Sequence, residues 1–101
     1  GDFKNDKRHG QGTFLYADGS DYVGEFKNDK KHGEGTFMWA DGDIYEGEWR
    51  NGKMHGEGIY IHADGKEIRG EWRLNIPWNA VAYHISGQVA LIYKEGESQL
   101  P

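Results

Sequence analysis

Two recurring sets of titratable side chains suggest the most direct chemical hypotheses for this sequence, a metal site and a catalytic pair of carboxylates. One set is His9, His32 and His55, and the other is Glu25, Glu48 and Glu71. In both sets, successive members are 23 residues apart. If one repeat advances by two β-strands, successive members lie about 9 to 10 Å apart, whereas zinc ligands lie about 2 Å from the ion. The histidines therefore predict no metal site, and we interpret them as turn residues that close hairpins by hydrogen bonding.

The glutamate set needs a separate test, because catalytic carboxylates of glycosidases stand about 5 to 10 Å apart. Such enzymes place one carboxyl group in an environment that raises its pKa and the other in one that does not. A repeated, solvent-facing series offers no such difference in environment. We interpret these glutamates as acids of a solvated face, and the sequence predicts no catalytic residue.

Two glycine-containing segments match ligand-binding loops only in part. Gly33-Glu34-Gly35 lacks the third glycine of a dinucleotide fingerprint, and no helical pattern follows it. Asp41-Gly42-Asp43 lacks the further ligands of a calcium loop and is typical of a hairpin turn. The sequence therefore predicts no metal and no cofactor, and we expect a protein that is not an enzyme.

Composition narrows the class of protein further. The 101 residues include 16 Gly, no Cys and 14% aromatic residues, and they carry a net charge of −5. The absence of Cys excludes disulfides and thiolate metal sites, and the acidic balance argues against nucleic-acid binding. No apolar run of about 18 residues occurs, so we expect no transmembrane helix. We expect a folded intracellular protein, either cytoplasmic or associated with the cytoskeleton or a membrane.

Residues 1–72 form a tandem array with this same constant offset as its period. The motif His-Gly-x-Gly starts at His9, His32 and His55, and the motif Ala-Asp-Gly starts at Ala17, Ala40 and Ala63. Residues 1–6 match residues 24–29 almost letter for letter. We therefore expect the chain to start inside a repeat and to come from a longer array.

Each unit carries two turn signals and two runs of alternating character. Asn51-Gly52 and Asp41-Gly42 tolerate the positive φ that tight hairpin turns need. Between these turns, Tyr45 and Trp49 share one face of the run 44–50, and charged residues occupy the other. One unit is thus predicted to be one antiparallel β-hairpin. The series predicts an all-β, elongated, single-layer antiparallel meander in which each hairpin contacts its neighbours.

Glycine explains how such a sheet packs with few aliphatic side chains. Gly24, Gly47 and Gly70 recur at one position of the unit. Because glycine has no Cβ, these positions are expected to leave space on which a ring from a neighbouring strand lies flat.

Residues 73–101 form the second predicted segment. Pro77 interrupts the repeat pattern, and the apolar runs 80–84 and 88–93 then flank Ile85-Ser86-Gly87. This pattern predicts a C-terminal hairpin. Because terminal repeats usually cap an exposed end, we interpret it as a capping hairpin, with a partner-docking edge as the alternative.

The motifs of the array resemble those of a known repeat family. They read Tyr22-Val23-Gly24-Glu25-Phe26, Gly33-Glu34-Gly35, Asp41-Gly42 and Tyr45-Glu46-Gly47-Glu48-Trp49. This pattern resembles the MORN repeat (membrane occupation and recognition nexus) over residues 1–72. The resemblance implies a single-layer β ribbon with a grooved aromatic face, used as a non-catalytic scaffold, dimerisation module or peptide-binding platform. His62 and Ile68 replace aromatic residues of the earlier units, so the groove is expected to fade towards that end.

The aromatic face is the first candidate binding site, because large exposed aromatic patches mark interaction surfaces. It is expected to bind a segment of a protein partner or a second copy of the chain in a homodimer. The candidate residues are Tyr22, Phe26, Phe37, Trp39, Tyr45, Trp49, Tyr60 and Trp72. Some of these rings are also expected to hold the fold together.

The alternative hypothesis is peripheral binding to acidic phospholipids through a basic margin of the ribbon. The candidate residues are Lys7, Arg8, Lys30, Lys31 and Lys53. They cluster near the His-Gly motifs, whereas Asp residues cluster at the other turns, so the two margins are predicted to have opposite charge. A third hypothesis makes the chain an accessory array of a larger enzyme.

Overall fold

The computed structural model describes residues 2–4 and 7–101, with side chains from His9 onward, and contains ten β-strands. In chain order they are β1 Asp2–Lys4, β2 Lys7–Leu15, β3 Asp21–Lys27, β4 Lys30–Met38, β5 Ile44–Arg50, β6 Lys53–Ile61, β7 Glu67–Arg73, β8 Ile76–Tyr83, β9 Val89–Lys94 and β10 Glu97–Gln99. The strands lie in one sheet in the order of the chain, and each pairs antiparallel with the next. The predicted all-β meander is confirmed.

The sheet is one layer thick and longer than it is wide. Its principal extents are 48 × 26 × 16 Å, which fits about ten strands at roughly 4.8 Å spacing. Across the described residues, no helix has the length and apolar character to cross a membrane.

Two kinds of connection lie on opposite margins of the ribbon. Among the described residues, four two-residue turns have both residues at positive φ: Asn28–Asp29, Asn51–Gly52, Leu74–Asn75 and Glu95–Gly96. At the other margin, four five-residue loops (16–20, 39–43, 62–66 and 84–88) each have the N–H of their first residue donating to the carbonyl of their fifth. The two-residue turns are so short that β4 and β6 already begin at Lys30 and Lys53. His32 and His55 therefore lie inside strands, and their interpretation as turn residues is wrong.

The predicted alternation of side chains separates an inner face, which carries the ring cluster, from an outer face. Tyr22 and Tyr45 are fully buried on the inner face, with Trp49 and Trp72 packed beside them. Charged residues such as Glu46 lie on the outer face. A ring cluster thus takes the place of an aliphatic core.

Glycines make room for this cluster, but the glycine that each ring covers is not the one predicted. The Tyr22 ring lies over Gly35, and a methyl group at Gly35 would overlap its hydroxyl. A methyl group at Gly24 would meet the Cα of the paired Gly35 at 2.5 Å. Each ring therefore covers a glycine of the following strand, while the glycine of its own strand permits close approach of the two backbones.

A β-bulge interrupts the hairpin of β3 and β4 next to these glycines. Gly24 pairs with Gly35 and Phe26 with Lys31, so residues 32–34 of β4 face Glu25 alone. The Glu25 carboxylate accepts a hydrogen bond from the Glu34 N–H at 2.7 Å. It does so across Gly33, whose φ of 69° suits glycine.

Glu48 repeats this arrangement at Gly56, where it accepts from the Glu57 N–H. Glu71 instead accepts from the Asn79 side-chain amide at 2.9 Å. These glutamates lie on the outer face, as interpreted, but each carboxylate also accepts a hydrogen bond from a neighbouring strand, which the sequence did not predict.

The segment after residue 73 continues the same sheet. β8 pairs with β7 over residues 76–83, and β9 and β10 follow in order. The loop at His84 has the same two backbone hydrogen bonds as the three loops before it. The division of the chain at residue 72 and the capping role of residues 73–101 stay predictions.

Candidate functional site

A groove crosses the inner face between the two margins, and we call it the aromatic groove. It encloses about 380 Å³ and is lined by Lys31, Phe37, Trp39, Trp49, Gly52, Met54, Tyr60 and Asn75. Strands β4, β5 and β6 supply most of the lining, and the turns Asn51–Gly52 and Leu74–Asn75 close one side. The groove therefore spans neighbouring repeats.

A continuous row of rings runs along the groove. Phe37 and Trp39 have ring centroids 4.7 Å apart, and Trp39 lies 5.2 Å from Tyr60. The row continues towards the N-terminus through Tyr16, 5.6 Å from Phe37, and ends at His62, 5.0 Å from Tyr60.

Burial divides the eight predicted aromatic residues into two groups. Buried are Tyr22, Phe26, Phe37, Tyr45, Trp49 and Trp72, and half-buried are Trp39 and Tyr60. The buried indoles are also tied to the backbone, since Trp49 Nε1 donates to the Gly35 carbonyl at 3.0 Å and Trp72 Nε1 to the Gly58 carbonyl at 3.2 Å. The first group thus holds the sheet together, and Trp39 and Tyr60 present accessible ring surface.

The buried tyrosines also have their hydroxyls satisfied inside the fold. Tyr22 donates to the Glu25 carbonyl at 2.9 Å and Tyr45 to the Glu48 carbonyl at 3.1 Å. Burial raises the pKa of both phenols. They remain neutral donors under ordinary conditions and are unsuited to proton transfer.

Lys31 lies on the inner face instead of the basic margin predicted for it. Because the bulge pairs it with Phe26, its ammonium comes to 5.1 Å from the Phe37 centroid and 5.2 Å from that of Trp49. Tyr16 and Tyr22 complete the surroundings at 6.0 Å each. A cation over aromatic faces at these distances is attracted by the ring quadrupoles, so Lys31 packs as part of the groove.

The next unit has Met54 at the same structural position. Met54 pairs with Trp49 as Lys31 pairs with Phe26, and it is buried. Its N–H donates to the Asn75 side-chain oxygen at 2.9 Å. One end of the groove thus carries an ammonium group and the other a thioether.

Sequence reasoning did not identify Lys31, Met54 or Asn75 as groove residues. The repeat pattern aligns Lys31 with Met54, and this alignment is the only signal in the sequence that relates the two residues. It does not show which face they occupy, because that depends on the two-residue turn and the bulge. Neither feature is visible in the two-residue alternation.

Asp43 anchors the rim of the groove on the loop margin. Its carboxylate accepts from the Tyr60 hydroxyl and from the Ala63 N–H, both at 2.8 Å. The hydrogen bond from Tyr60, followed by that from Ala63, lowers the pKa of Asp43. Burial and the same hydrogen bond raise the pKa of Tyr60. This bond fixes the orientation of the Tyr60 ring.

The remaining basic residues of the second hypothesis lie apart from the groove. Lys30 and Lys53 are exposed at the two-residue turns, paired across their hairpins with Lys27 and Arg50. Lys7 and Arg8 lie in β2, and their side chains are outside the described residues.

Within the part of the chain that the structure describes, no three His, Asp or Glu side chains come together as a metal site. His32 and His55 lie on separate strands, β4 and β6. The groove can bind through ring contact, one ammonium group and hydrogen bonds at its rim.

Comparison with known proteins agrees with this architecture. The sequence model of the MORN repeat matches residues 1–21, 22–44 and 45–67. A comparison with curated proteins gives no match. The MORN repeat is a non-catalytic unit of protein and membrane interaction. With three matched units and a meander built from the same period, the chain belongs to the MORN repeat family.

Proposed function

We propose that this chain is a non-catalytic interaction module that binds a segment of a protein partner in the aromatic groove. The observation that carries the proposal is the groove of about 380 Å³, walled by half-buried Trp39 and Tyr60 above a buried floor. Aromatic side chains in such positions commonly anchor interfaces, because they bury large areas at low entropic cost.

The geometry favours an extended segment lying along the row of rings. Phe37, Trp39 and Tyr60 form a wall with centroids 4.7 and 5.2 Å apart. A segment with apolar side chains would cover the exposed ring surface, and Lys31 would favour an acidic residue at one end.

The test uses a displayed library of random linear peptides selected against the full chain, followed by affinity measurement on the enriched peptides. Trp39→Ala should weaken their binding by about tenfold or more, since loss of an interface anchor costs at least about 1.4 kcal/mol. Circular dichroism should remain that of a β-sheet, because Trp39 is only half-buried.

Two further variants separate binding from folding. Leu15→Ala removes an exposed side chain from the outer face and should leave affinity unchanged. Trp49→Ala removes a buried ring and should destabilise the fold by about 3–5 kcal/mol. Equal affinity for Trp39→Ala and the unaltered chain, or no enriched peptide at all, would contradict the proposal.

A second copy of the chain is the other occupant we propose for the groove, as a homodimer. Light scattering distinguishes the two: a mass of about twice 11.5 kDa that returns to one chain in Trp39→Ala would favour self-association. We also propose an intracellular location for the module.

Peripheral binding to acidic phospholipids stays a second candidate function. A specific arrangement favours it, since Lys27, Lys30, Arg50 and Lys53 form two basic cross-strand pairs at one margin. Basic residues near an anionic membrane surface are worth about 1 kcal/mol each. Lys31 does not contribute, because it lies among the rings.

A further inference from the structure

The outer face of the sheet carries side chains that this chain leaves uncovered. Val23 is 54% exposed although it lies in the middle of β3, and Leu15 and Met38 are exposed on the strands beside it. Apolar groups left open on a sheet face commonly mark a surface that another molecule covers. The charges around them indicate what kind of molecule fits.

Two adjoining depressions of about 510 and 500 Å³ cross this face, and they share Glu34, Glu46 and Ile59. We call the combined depression the glutamate trough. Its walls also include Val23, Thr36 and Glu57. Among the residues whose side chains the structure describes, Arg69 is the only basic residue of the walls, and it is bound to Glu67 at 2.6 Å.

The carboxylates of the trough differ from the other glutamates of the outer face. Among the described residues, the side chains of Glu34, Glu46 and Glu57 take part in no hydrogen bond or ion pair. By contrast, Glu25 and Glu48 accept bonds from bulge amides. The fold thus uses one set of acids and leaves the other available.

The strand register also sets like charges against each other. Glu34 pairs directly with Glu48, and Glu57 pairs directly with Glu71. Like charges directly opposite in a sheet are destabilising. A partner that brings positive charge into the trough would relieve this repulsion while it covers Val23 and Ile59.

The spacing of the acids selects a shape for that partner. Glu34 and Glu57 stand on β4 and β6, so they are separated by two strand spacings, about 9.6 Å. A polyproline II helix rises about 3.1 Å per residue with three residues per turn, so side chains at every third residue form a ridge with a repeat of about 9.3 Å. Since the face of a sheet offers no free backbone hydrogen bonds, a segment whose backbone is solvated fits there well.

We propose that the glutamate trough binds an extended, polyproline II-type segment of a protein partner that carries Lys or Arg at every third residue. The basic ridge pairs with Glu34 and Glu57, and the residues between cover Val23 and Ile59. This site lies on the face opposite the aromatic groove and is independent of the function proposed for that groove.

The test measures binding of three synthetic twelve-residue peptides to the full chain by calorimetry, at low and at physiological salt. The first has four Lys-Pro-Pro triplets, the second has Glu in place of Lys, and the third has the composition of the first with its lysines in one block. The triplet peptide should bind, more tightly at low salt because exposed charges are screened. The glutamate peptide should not bind, and the block peptide should bind at least about fivefold more weakly.

Two double variants with the same change in net charge locate the site. Glu34→Gln with Glu57→Gln should weaken binding of the triplet peptide by about tenfold, whereas Glu95→Gln with Glu97→Gln should change it less than about twofold. Trp39→Ala should leave this binding unchanged, so failure of the groove proposal and failure of this one are distinguishable.

Several outcomes would overturn the proposal. They are absence of binding at low salt, equal affinity for the triplet and block peptides, and equal loss in the two double variants. If the trough variants instead lower the mass of the chain in solution, its occupant is a second copy and the proposed partner is wrong.

Discussion

Asp43 shows how one side chain can hold separate parts of the array in place. It sits in the loop after β4, yet its carboxylate bonds Tyr60 on β6 and Ala63 in the following loop. The preceding unit has the buried Ser20 at the equivalent place in its loop, and the following unit has Lys66. Among the described residues, this tie between neighbouring loops is therefore specific to the unit that forms the groove.

These hydrogen bonds of Asp43 predict that the stability of the fold depends on pH. The hydrogen bond from Tyr60 lowers the pKa of Asp43 in the folded chain, so the carboxylate favours folding above the ordinary aspartate pKa of about 3.9. That stabilisation is lost as the pH falls through the lower folded-state value. Asp43→Asn should cost about 1 kcal/mol at neutral pH through its weakened hydrogen bonds, and the difference from the unaltered chain should shrink below about pH 4.

Urea unfolding of both chains from neutral pH down to about pH 2.5 measures this difference. Glu97→Gln, which removes an exposed carboxylate on β10, should track the unaltered chain throughout. A gap that stays constant or widens on acidification would show that the Asp43 charge does not stabilise the fold.

Residue identity alone revealed only part of this site. The two-residue alternation correctly placed Trp39 and Tyr60 on the ring face, because side-chain direction in a strand follows position. It could not place Lys31, because the bulge at residues 32–34 depends on pairing with Glu25. That pairing involves two strands, and the alternation within either strand does not reveal it.

At the level of elements, the two-residue turns fix the strand register. A turn with positive φ at both residues matches the right-handed twist of the paired strands, and Asn and Gly accept this conformation most readily. Asn28 and Asn51 occupy the first turn position in their hairpins, with φ of 51° and 50°. The third such turn has Leu74 there, with φ of 48° and an exposed side chain.

Leu74→Asn should therefore stabilise the fold. A non-glycine residue in the left-handed region costs roughly 1–2 kcal/mol, and Asn pays less because its side chain bonds locally, so we expect a gain of about 0.5–1 kcal/mol. Chemical denaturation measures the gain, and Leu100→Asn near the C-terminus should give none. An unchanged or lower midpoint for Leu74→Asn would mean that the Leu74 side chain makes a compensating contact.

The sequence pattern anticipated these elements better than their details. The constant period and the Asn-Gly and Asp-Gly signals predicted hairpins, strands and loops in the order observed. The pattern did not predict the bulges, because Gly33 and Gly56 are equally compatible with a turn. For this reason the prediction placed His32 and His55 in turns, whereas they lie in strands.

As a whole molecule, the ribbon carries its proposed binding sites on separate surfaces. The groove lies on the inner face, the glutamate trough on the outer face, and the basic pairs at the margin of the two-residue turns. In a layer only 16 Å thick, this arrangement would let the proposed ligands approach without competing for one site.

The membrane hypothesis is tested at this scale, because the charge is spread along a margin. If the hypothesis holds, the chain should pellet with phosphatidylserine vesicles at low salt. Lys30→Gln with Lys53→Gln should weaken pelleting by roughly 30-fold, since two bases contribute about 2 kcal/mol. Lys66→Gln with Arg69→Gln removes equal charge from outside that margin and should have little effect. No pelleting of the unaltered chain at low salt would exclude the hypothesis.

The bulges also limit how the length of this protein can change. A strand that gains or loses one residue turns every following side chain to the other face, which would expose the rings and bury the acids. Yet the loop at His84 follows that at His62 at one residue less than the period, and Ala80 and Ala82 stay buried opposite Gly70 and Ile68. The register shift at Glu71/Trp72 absorbs the difference. Insertions and deletions should therefore be tolerated as whole repeat units or as single residues at a bulge, and rejected elsewhere in the strands.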